Sequence, residues 1–193
     1  ANVVDIGIWQ GGSVVLLDLV FAPRNPVALE YSERELPHLD DYISSRGRLG
    51  AVRLYKGVNQ GDSNQVERIM KEEFNDEPID LVIDDASHFY DETRASFDVI
   101  FPRLREGGKF IIEDWQWSTN ADTAKLDYFK DKPGLSNLVL QCILLCATRQ
   151  DIISSVTVFP HMAIVTRGKA CDLQNFSIVD LATNRGAPVD LLL

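Results

Sequence analysis

Short apolar runs alternate with longer stretches of helical period along most of the chain. That rhythm is the signature of β-α-β units built around a parallel sheet. The runs Val3–Gly7, Pro26–Glu30, Ala51–Tyr55, Ile79–Asp84 and Lys109–Glu113 are short and mostly apolar, as strands covered on both faces should be. The spacing between them predicts five helices. Ser13 caps one that runs through Val20, and Glu33 to Arg46 form the second. Ser63 caps the third, with Val66, Ile69, Met70 and Phe74 on one face. Asp91 caps the fourth, with Phe97, Ile100, Phe101 and Leu104 facing inward. The fifth follows Pro133-Gly134 and carries Leu138, Val139, Cys142, Leu145 and Cys146 at helical spacing. The pattern then changes, because Ile153–Phe159 and Ala163–Arg167 are β-rich and separated only by Pro160-His161-Met162, which predicts an antiparallel hairpin. The expected fold is therefore α/β: three layers, with a mostly parallel sheet ending in a C-terminal antiparallel hairpin. The stretch from Cys171 to Leu193 has weak periodicity and reads as a surface strand or loop.

With 193 residues, 45% of them apolar and 25% charged, the chain is expected to form one globular domain over 1–193. Its formal net charge of −10 argues against a nucleic-acid surface, which relies on clustered basic residues. No apolar run approaches the roughly 20 residues that cross a bilayer, and no basic segment followed by an apolar one opens the chain. The three cysteines, Cys142, Cys146 and Cys171, form no disulfide framework. A soluble cytoplasmic protein, with no nucleic-acid or membrane partner, is the expectation. The first residues already read as a buried strand, which suggests an excised domain.

The segment Asp5-Ile6-Gly7-Ile8-Trp9-Gln10-Gly11-Gly12-Ser13 joins the first strand to the first helix. Glycines there allow a tight turn and close approach of a cofactor to the backbone, and the helix start offers free amides. Gly7, Gly11 and Ser13 are accordingly candidate cofactor contacts, with a bare glycine-rich turn as the bland alternative. The spacing G-x-x-x-G-G departs from the dinucleotide pattern G-x-G-x-x-G. Glu30 ends the second strand at the distance where an acid accepts ribose hydroxyls. Asp62, after the third strand, either meets an adenine amino group or, with Ser63, caps the next helix.

The most informative stretch is Leu81-Val82-Ile83-Asp84-Asp85-Ala86-Ser87-His88, where an apolar strand runs straight into two carboxylates and then a histidine. Phe110-Ile111-Ile112 likewise runs into Glu113-Asp114. On adjacent parallel strands both acidic pairs emerge at one edge, and they would raise each other's pKa unless a cation sat among them. Asp85, Glu113 and Asp114 are the candidate ligands, and Asp84, one residue earlier, is expected to turn to the other face and meet the cofactor. Magnesium suits an all-carboxylate site; manganese or ferrous iron is the alternative, with His88 as a further ligand if the ion is iron. His88 is otherwise the candidate base, acting with the cation and Asp85 in catalysis.

These motifs resemble the class I S-adenosylmethionine-dependent methyltransferases. More narrowly, they resemble the metal-dependent macrolide sugar O-methyltransferases of the mycinamicin and macrocin type, with the related rhamnosyl and cephalosporin-hydroxylase-named proteins. The resemblance rests on Asp5-x-Gly7-x-x-x-Gly11-Gly12-Ser13, Asp84-Asp85-Ala86-Ser87-His88 and Glu113-Asp114-Trp115. It implies a Rossmann-like seven-stranded sheet with an antiparallel last strand. It implies that Asp5 to Ser13 embrace the methionine part of the cofactor and Glu30 its ribose. Asp85, Glu113 and Asp114 would hold Mg2+, while His88 takes a proton from a sugar or polyketide hydroxyl. Positioning by two acceptor oxygens on the cation further implies a vicinal diol or similar bidentate acceptor. Two departures stand out: Ala86 replaces a frequent glycine, and helices that usually precede the first strand, forming a lid and the homo-oligomer, have no counterpart in the sequence. Competing expectations are an iron-dependent methyltransferase domain of a synthase acting on carbon, and a cofactor-binding scaffold without turnover. Trp115 and Trp117 read as an acceptor wall or as packing, Cys142 and Cys146 as core, and His38 and His161 as surface residues.

Overall fold

A computed structural model describes residues 1–46 and 52–192. Strands β1 (Asn2–Ile6), β2 (Asn25–Glu30), β3 (Arg53–Lys56), β4 (Ile79–Asp84) and β5 (Leu104–Glu113) run parallel, and β6 (Ile153–Val158) and β7 (Met162–Arg167) form the hairpin. The sheet order is β3-β2-β1-β4-β5-β7-β6, with β7 antiparallel to β5. The expected sheet and its antiparallel end are both present. Of the third predicted strand, Ala51 lies outside the described residues.

Helices α1 (Gly12–Phe21) and α2 (Pro37–Ser45) cover one face of the sheet. There Val14, Leu39 and Ile43 bury against Ile8 and Ala28. On the other face lie α3 (Ser63–Phe74), α4 (Tyr90–Ile100) and α5 (Ser136–Thr148). Their inward positions, such as Met70, Phe97 and Cys142, bury beneath Val4, Val82 and Phe110. Phe97 stacks on Phe101 at 4.7 Å and meets the Phe110 edge at 4.9 Å, so the heaviest aromatic burial sits under the center of the sheet. Cys142 is fully buried there, as a small apolar residue.

Four local expectations need correction. Ser13 lies inside α1, whose N-cap is Gly11 at φ 86°. The second helix starts at Pro37, whose ring suits a first helical turn, so residues from Glu33 to Leu36 are loop. Asp62, not Ser63, caps α3 by accepting from the amides of Asn64 and Gln65. Asp91 sits in the first turn of α4 behind an uncapped Phe89, where its charge still favours the helix N-terminus.

The last segment is not a surface appendage. Phe176, Ile178 and Ala182 are buried in the main core. The Ile178 amide donates to Asp98, and Asn137 holds the main chain of Leu192 from both sides. Weak periodicity concealed this packing because regular structure there is limited to α6 (Ile178–Leu181) and two short antiparallel strands near the surface, β8 (Thr183–Asn184) and β9 (Ala187–Pro188). Among the described residues, no helix is long and apolar enough to cross a membrane.

The strand order reverses between β1 and β4, and an open α/β sheet presents its ligand crevice at that point, beyond the carboxyl ends of the strands. Gly7 leaves β1 at φ 82°, and a Cβ there would lie 2.4 Å from Ala86 Cα and 2.5 Å from the Asp85 carbonyl oxygen. Both are main-chain neighbours that cannot swing away. Gly7→Ala is therefore expected to cost at least about 2 kcal/mol of stability, read as a lower denaturant midpoint at unchanged slope.

Candidate functional site

A cleft of about 420 Å³ opens at this switch point. Each parallel strand from β1 to β4 supplies lining residues just past its carboxyl end: Gly7 and Trp9, Glu30 and Tyr31, Asn59 and Gln60, Asp85 and Ser87. Glu30 is buried, and its two oxygens accept from the Trp9 amide at 3.1 Å and the Ser32 amide at 2.9 Å. Those bonds fix the carboxylate at the cleft wall and leave it further lone pairs. Gly11 sits away from the cleft, because its missing Cβ makes room for Leu39 on α2. Asp62 does not line the cleft, and its Oδ1 is engaged by the cap.

Asp5 and Ser13 lie beneath the same edge. Burial pushes the Asp5 carboxyl up to about 7, and the charges of Asp85 and Glu113 add to this; the Ser13 hydroxyl opposes it. The pair falls short of hydrogen-bond geometry, so both Asp5 oxygens and the Ser13 hydroxyl are buried without a partner. Buried polar groups are normally paired by protein, water or ligand.

Asp84 pairs in register with Ile6, which lines the cleft, so it shares the cleft's face of the sheet but does not line the cleft itself. It is buried against α4, where Ser96 Oγ donates to Oδ2 at 3.0 Å. The Gln60 amide, in the orientation that satisfies every partner, donates to both Asp84 oxygens and accepts from Ser87 and Thr93. Burial holds the Asp84 carboxyl up at about 7 despite the Ser96 bond. The contact between Asp84 and the cleft thus runs through Gln60. Sequence reading did not single out Gln60, although its place between Gly57 and Gly61 on the crest after β3 was a usable signal.

Past β4 and β5 the chemistry changes. Ligand atoms of Asp85, His88 and Asp114 all lie within 4.8 Å of one another. Asp85 is exposed, and His88 and Asp114 are half-buried. Desolvation raises the Asp85 carboxyl to about 6, with the Asp114 charge adding to it. Glu113 stands outside that group of three, yet its pKa is raised by burial and then by the charges of Asp85 and Asp114. Burial lowers the His88 pKa, while Asp114 and the main chain and side chain of Glu113 act in the opposite direction.

Backbone strain clusters at the same edge. Trp9, His88 and Asp114 all hold positive φ, at 50°, 57° and 52°, a region that costs non-glycine residues free energy. Asp114 is held by its amide, which donates to the His161 carbonyl at 2.7 Å. His161 is exposed, as expected, but its main chain positions the acid from the β6–β7 turn. Trp117 lies 4.7 Å from the His88 ring, and the Trp115 indole donates to the Phe159 carbonyl at 3.0 Å.

The donor set fits a hard divalent cation. Such ions take carboxylate oxygens at about 2.0–2.6 Å, so ligands on opposite sides of one lie within about 5 Å of each other. The cleft beside it, with the buried Glu30 on its wall, fits a polar cofactor.

Comparison with known proteins agrees with this geometry. Residues 4–115 match the family described as a methyltransferase domain. The chain is 37% identical over 84 residues to L-olivosyl-oleandolide 3-O-methyltransferase of Streptomyces antibioticus, covering 44% of this chain and 21% of that protein. It is 30% identical over 120 residues to mycinamicin VI 2''-O-methyltransferase of Micromonospora griseorubida, covering 58% of this chain and 27% of that protein. The matched segments thus span about a quarter of these relatives' lengths. Among solved structures, the MycE methyltransferase of mycinamycin biosynthesis, in complex with Mg, SAH and mycinamycin VI, shares the fold at TM-score 0.67 and 23% identity, covering 86% of this chain and 44% of that one. An O-methyltransferase from Bacillus cereus in complex with SAH shares it at TM-score 0.59 and 19% identity, covering 86% and 74%.

Proposed function

The chain belongs to the methyltransferase-domain family, and from that membership we propose that it transfers a methyl group from S-adenosylmethionine to a hydroxyl of a small sugar or polyketide acceptor, with a divalent cation bound. The observation that carries this reading is the convergence of Asp85, His88 and Asp114 beside the glycine-lined cleft. The named relatives act on hydroxyls of macrolide and related sugars, which supports the acceptor class.

When bound, S-adenosylmethionine supplies an electrophilic sulfonium methyl, and Mg2+ supplies Lewis acidity toward the acceptor hydroxyl. Gly7 would admit the cofactor close to the backbone, Glu30 would accept from its ribose hydroxyls, and Asn59 would lie beside its base. Asp85 and Asp114 would hold the cation, with Glu113 adding negative charge from the neighbouring position. His88 would take the acceptor's hydroxyl proton on a ring nitrogen, freeing the oxygen to attack the methyl group that S-adenosylmethionine would supply, with S-adenosylhomocysteine as the leaving group. The lowered His88 pKa keeps the ring neutral near pH 7, which a base requires. Holding donor and acceptor in line can supply up to about 7–11 kcal/mol of the barrier reduction.

The test is S-adenosylhomocysteine release with a panel of vicinal-diol acceptors. Chelation is expected to stop turnover, added Mg2+ to restore it, and calorimetric binding of S-adenosylhomocysteine to persist throughout. Full activity after exhaustive chelation removes the cation from the mechanism. Cofactor binding with no methylated acceptor supports a scaffold instead. One observation favours a second reading: the His88 ring nitrogen lies within reach of both carboxylates. Ferrous iron or manganese accepts imidazole more readily than magnesium does, and His88 would then be a ligand. Metal analysis of protein purified anaerobically separates the two.

A further inference from the structure

His88 also lines a second cavity, of about 260 Å³, formed by the crossing segment between β5 and α5. Trp117 and Phe129 make an aromatic wall, their rings 6.1 Å apart. That volume is below the range of about 300–1,000 Å³ for pockets that enclose drug-sized ligands. It suits one sugar-sized ring. Lys130, Asp131 and Lys132 line the same cavity, giving it two positive charges against one negative.

Within the same segment, Lys125 pairs with Asp122. Among the described residues, no acid lies within ion-pair distance of Lys130 or Lys132. Lys132 Nζ instead sits 3.6 Å above the ring of Phe89, which also lines the cofactor cleft. A neutral diol needs only the carboxylates, the base and an aromatic face. It has no use for two cations without acidic neighbours, and a chain of net charge −10 repels anions unless a local site receives them.

We propose that the acceptor carries an oxyanion, a carboxylate or a phosphate on a sugar-like ring, seated at Lys130 and Lys132 while the ring lies on Trp117 and its hydroxyls face His88. This inference rests on the methyl-transfer reading and adds the charge class of the acceptor. Glucose, glucuronate and glucose 6-phosphate share one ring and differ at one position, so they are suitable probes. Their binding to the full chain, saturated with Mg2+ and S-adenosylhomocysteine, is read by quenching of tryptophan fluorescence and by saturation-transfer NMR. At least one anion is expected to bind about tenfold tighter than glucose, the scale of one charge-assisted contact. Preference for glucuronate identifies a carboxylate, and preference for glucose 6-phosphate a phosphate. In the double variant Lys130→Met, Lys132→Met the preference should vanish with glucose binding and S-adenosylhomocysteine affinity unchanged. Equal binding of all three sugars, no binding of either anion, or a preference that survives in the double variant overturns the proposal. Methyl transfer is assayed separately: lysine-dependent anion selectivity without methylation of any acceptor leaves the site standing and removes the reaction. Methylation of neutral diols only, with no anion selectivity, does the reverse.

Discussion

Replacing His88 by alanine is expected to lower kcat by about two to four orders of magnitude, the usual contribution of a positioned general base, while S-adenosylhomocysteine affinity changes by less than about twofold. The geometry supports this separation. His88 lines the acceptor-side cavity, and the cofactor cleft is lined by its neighbours Ser87 and Phe89. Its backbone is at φ 57°, so alanine is strained there and a structural loss has to be distinguished from a chemical one. Asparagine adopts that conformation at lower cost and cannot act as a base near pH 7. His88→Asn should therefore keep the melting temperature and still lose turnover. The pH profile gives a second readout. With the cation kept saturating at every pH, kcat/KM in the parent protein rises as His88 loses its proton below its ordinary range, and this limb disappears in both variants. Parallel losses of cofactor affinity and turnover, or a retained acid limb, would show that His88 shapes the loop and takes no proton.

Much of the parallel half of the fold was legible because burial on both faces leaves strands with one composition. Val3–Ile6 and Leu81–Ile83 are runs that water would otherwise have to solvate. Asp85 and Asp114 stood out for the same reason: an acid straight after such a run must emerge at the sheet's carboxyl edge. What the sequence concealed depends on contacts made far along the chain. Asp84 and Asp85 are adjacent, yet one is sealed under α4 by Ser96 and the other faces the cleft. Strand parity predicts that they diverge but not that Gln60 stands between Asp84 and the cleft. The buried Phe176 and Ile178 had no period to reveal them, since their partners lie on α4 and α5. Helix starts were misplaced by one to four residues: Asp62 rather than Ser63 won the cap of α3 by its own hydrogen bonds, Asp91 sits behind an uncapped Phe89, and Pro37 rather than Glu33 opens α2. Lys130 and Lys132 belong to no sequence motif, and only the fold sets them beside His88.

Removing the charge of Asp85 should have opposite effects on stability and on cation binding, and that opposition is diagnostic. Without a cation, Asp85 keeps a folded pKa of about 6, against an ordinary value near 3.8, because partial desolvation at the cleft edge and the Asp114 charge disfavour its ionised form. The native state therefore holds a proton that the unfolded chain has released, and stability falls as pH rises from about 4 through about 6. Asp85→Asn abolishes this penalty. In cation-free buffer the variant should melt higher than the parent at pH 8 and at nearly the same temperature at pH 4. Cation affinity should move the other way. Outer partners of a metal site are worth about 10–100-fold, so loss of a carboxylate that contacts the ion should weaken Mn2+ or Mg2+ binding by at least about 100-fold at pH 8. In the parent, protons compete with the cation for Asp85, so affinity should rise by roughly tenfold for each pH unit below about 6 and level off above it. Calorimetric titration across pH 5–8, paired with melting curves in chelator, measures both trends. A variant that melts lower at pH 8, or that binds the cation as tightly as the parent, would mean that Asp85 is an ordinary turn residue. The opposite pair of results would mark it as a carboxylate retained at a cost to folding, as expected of a group kept for the ion it holds.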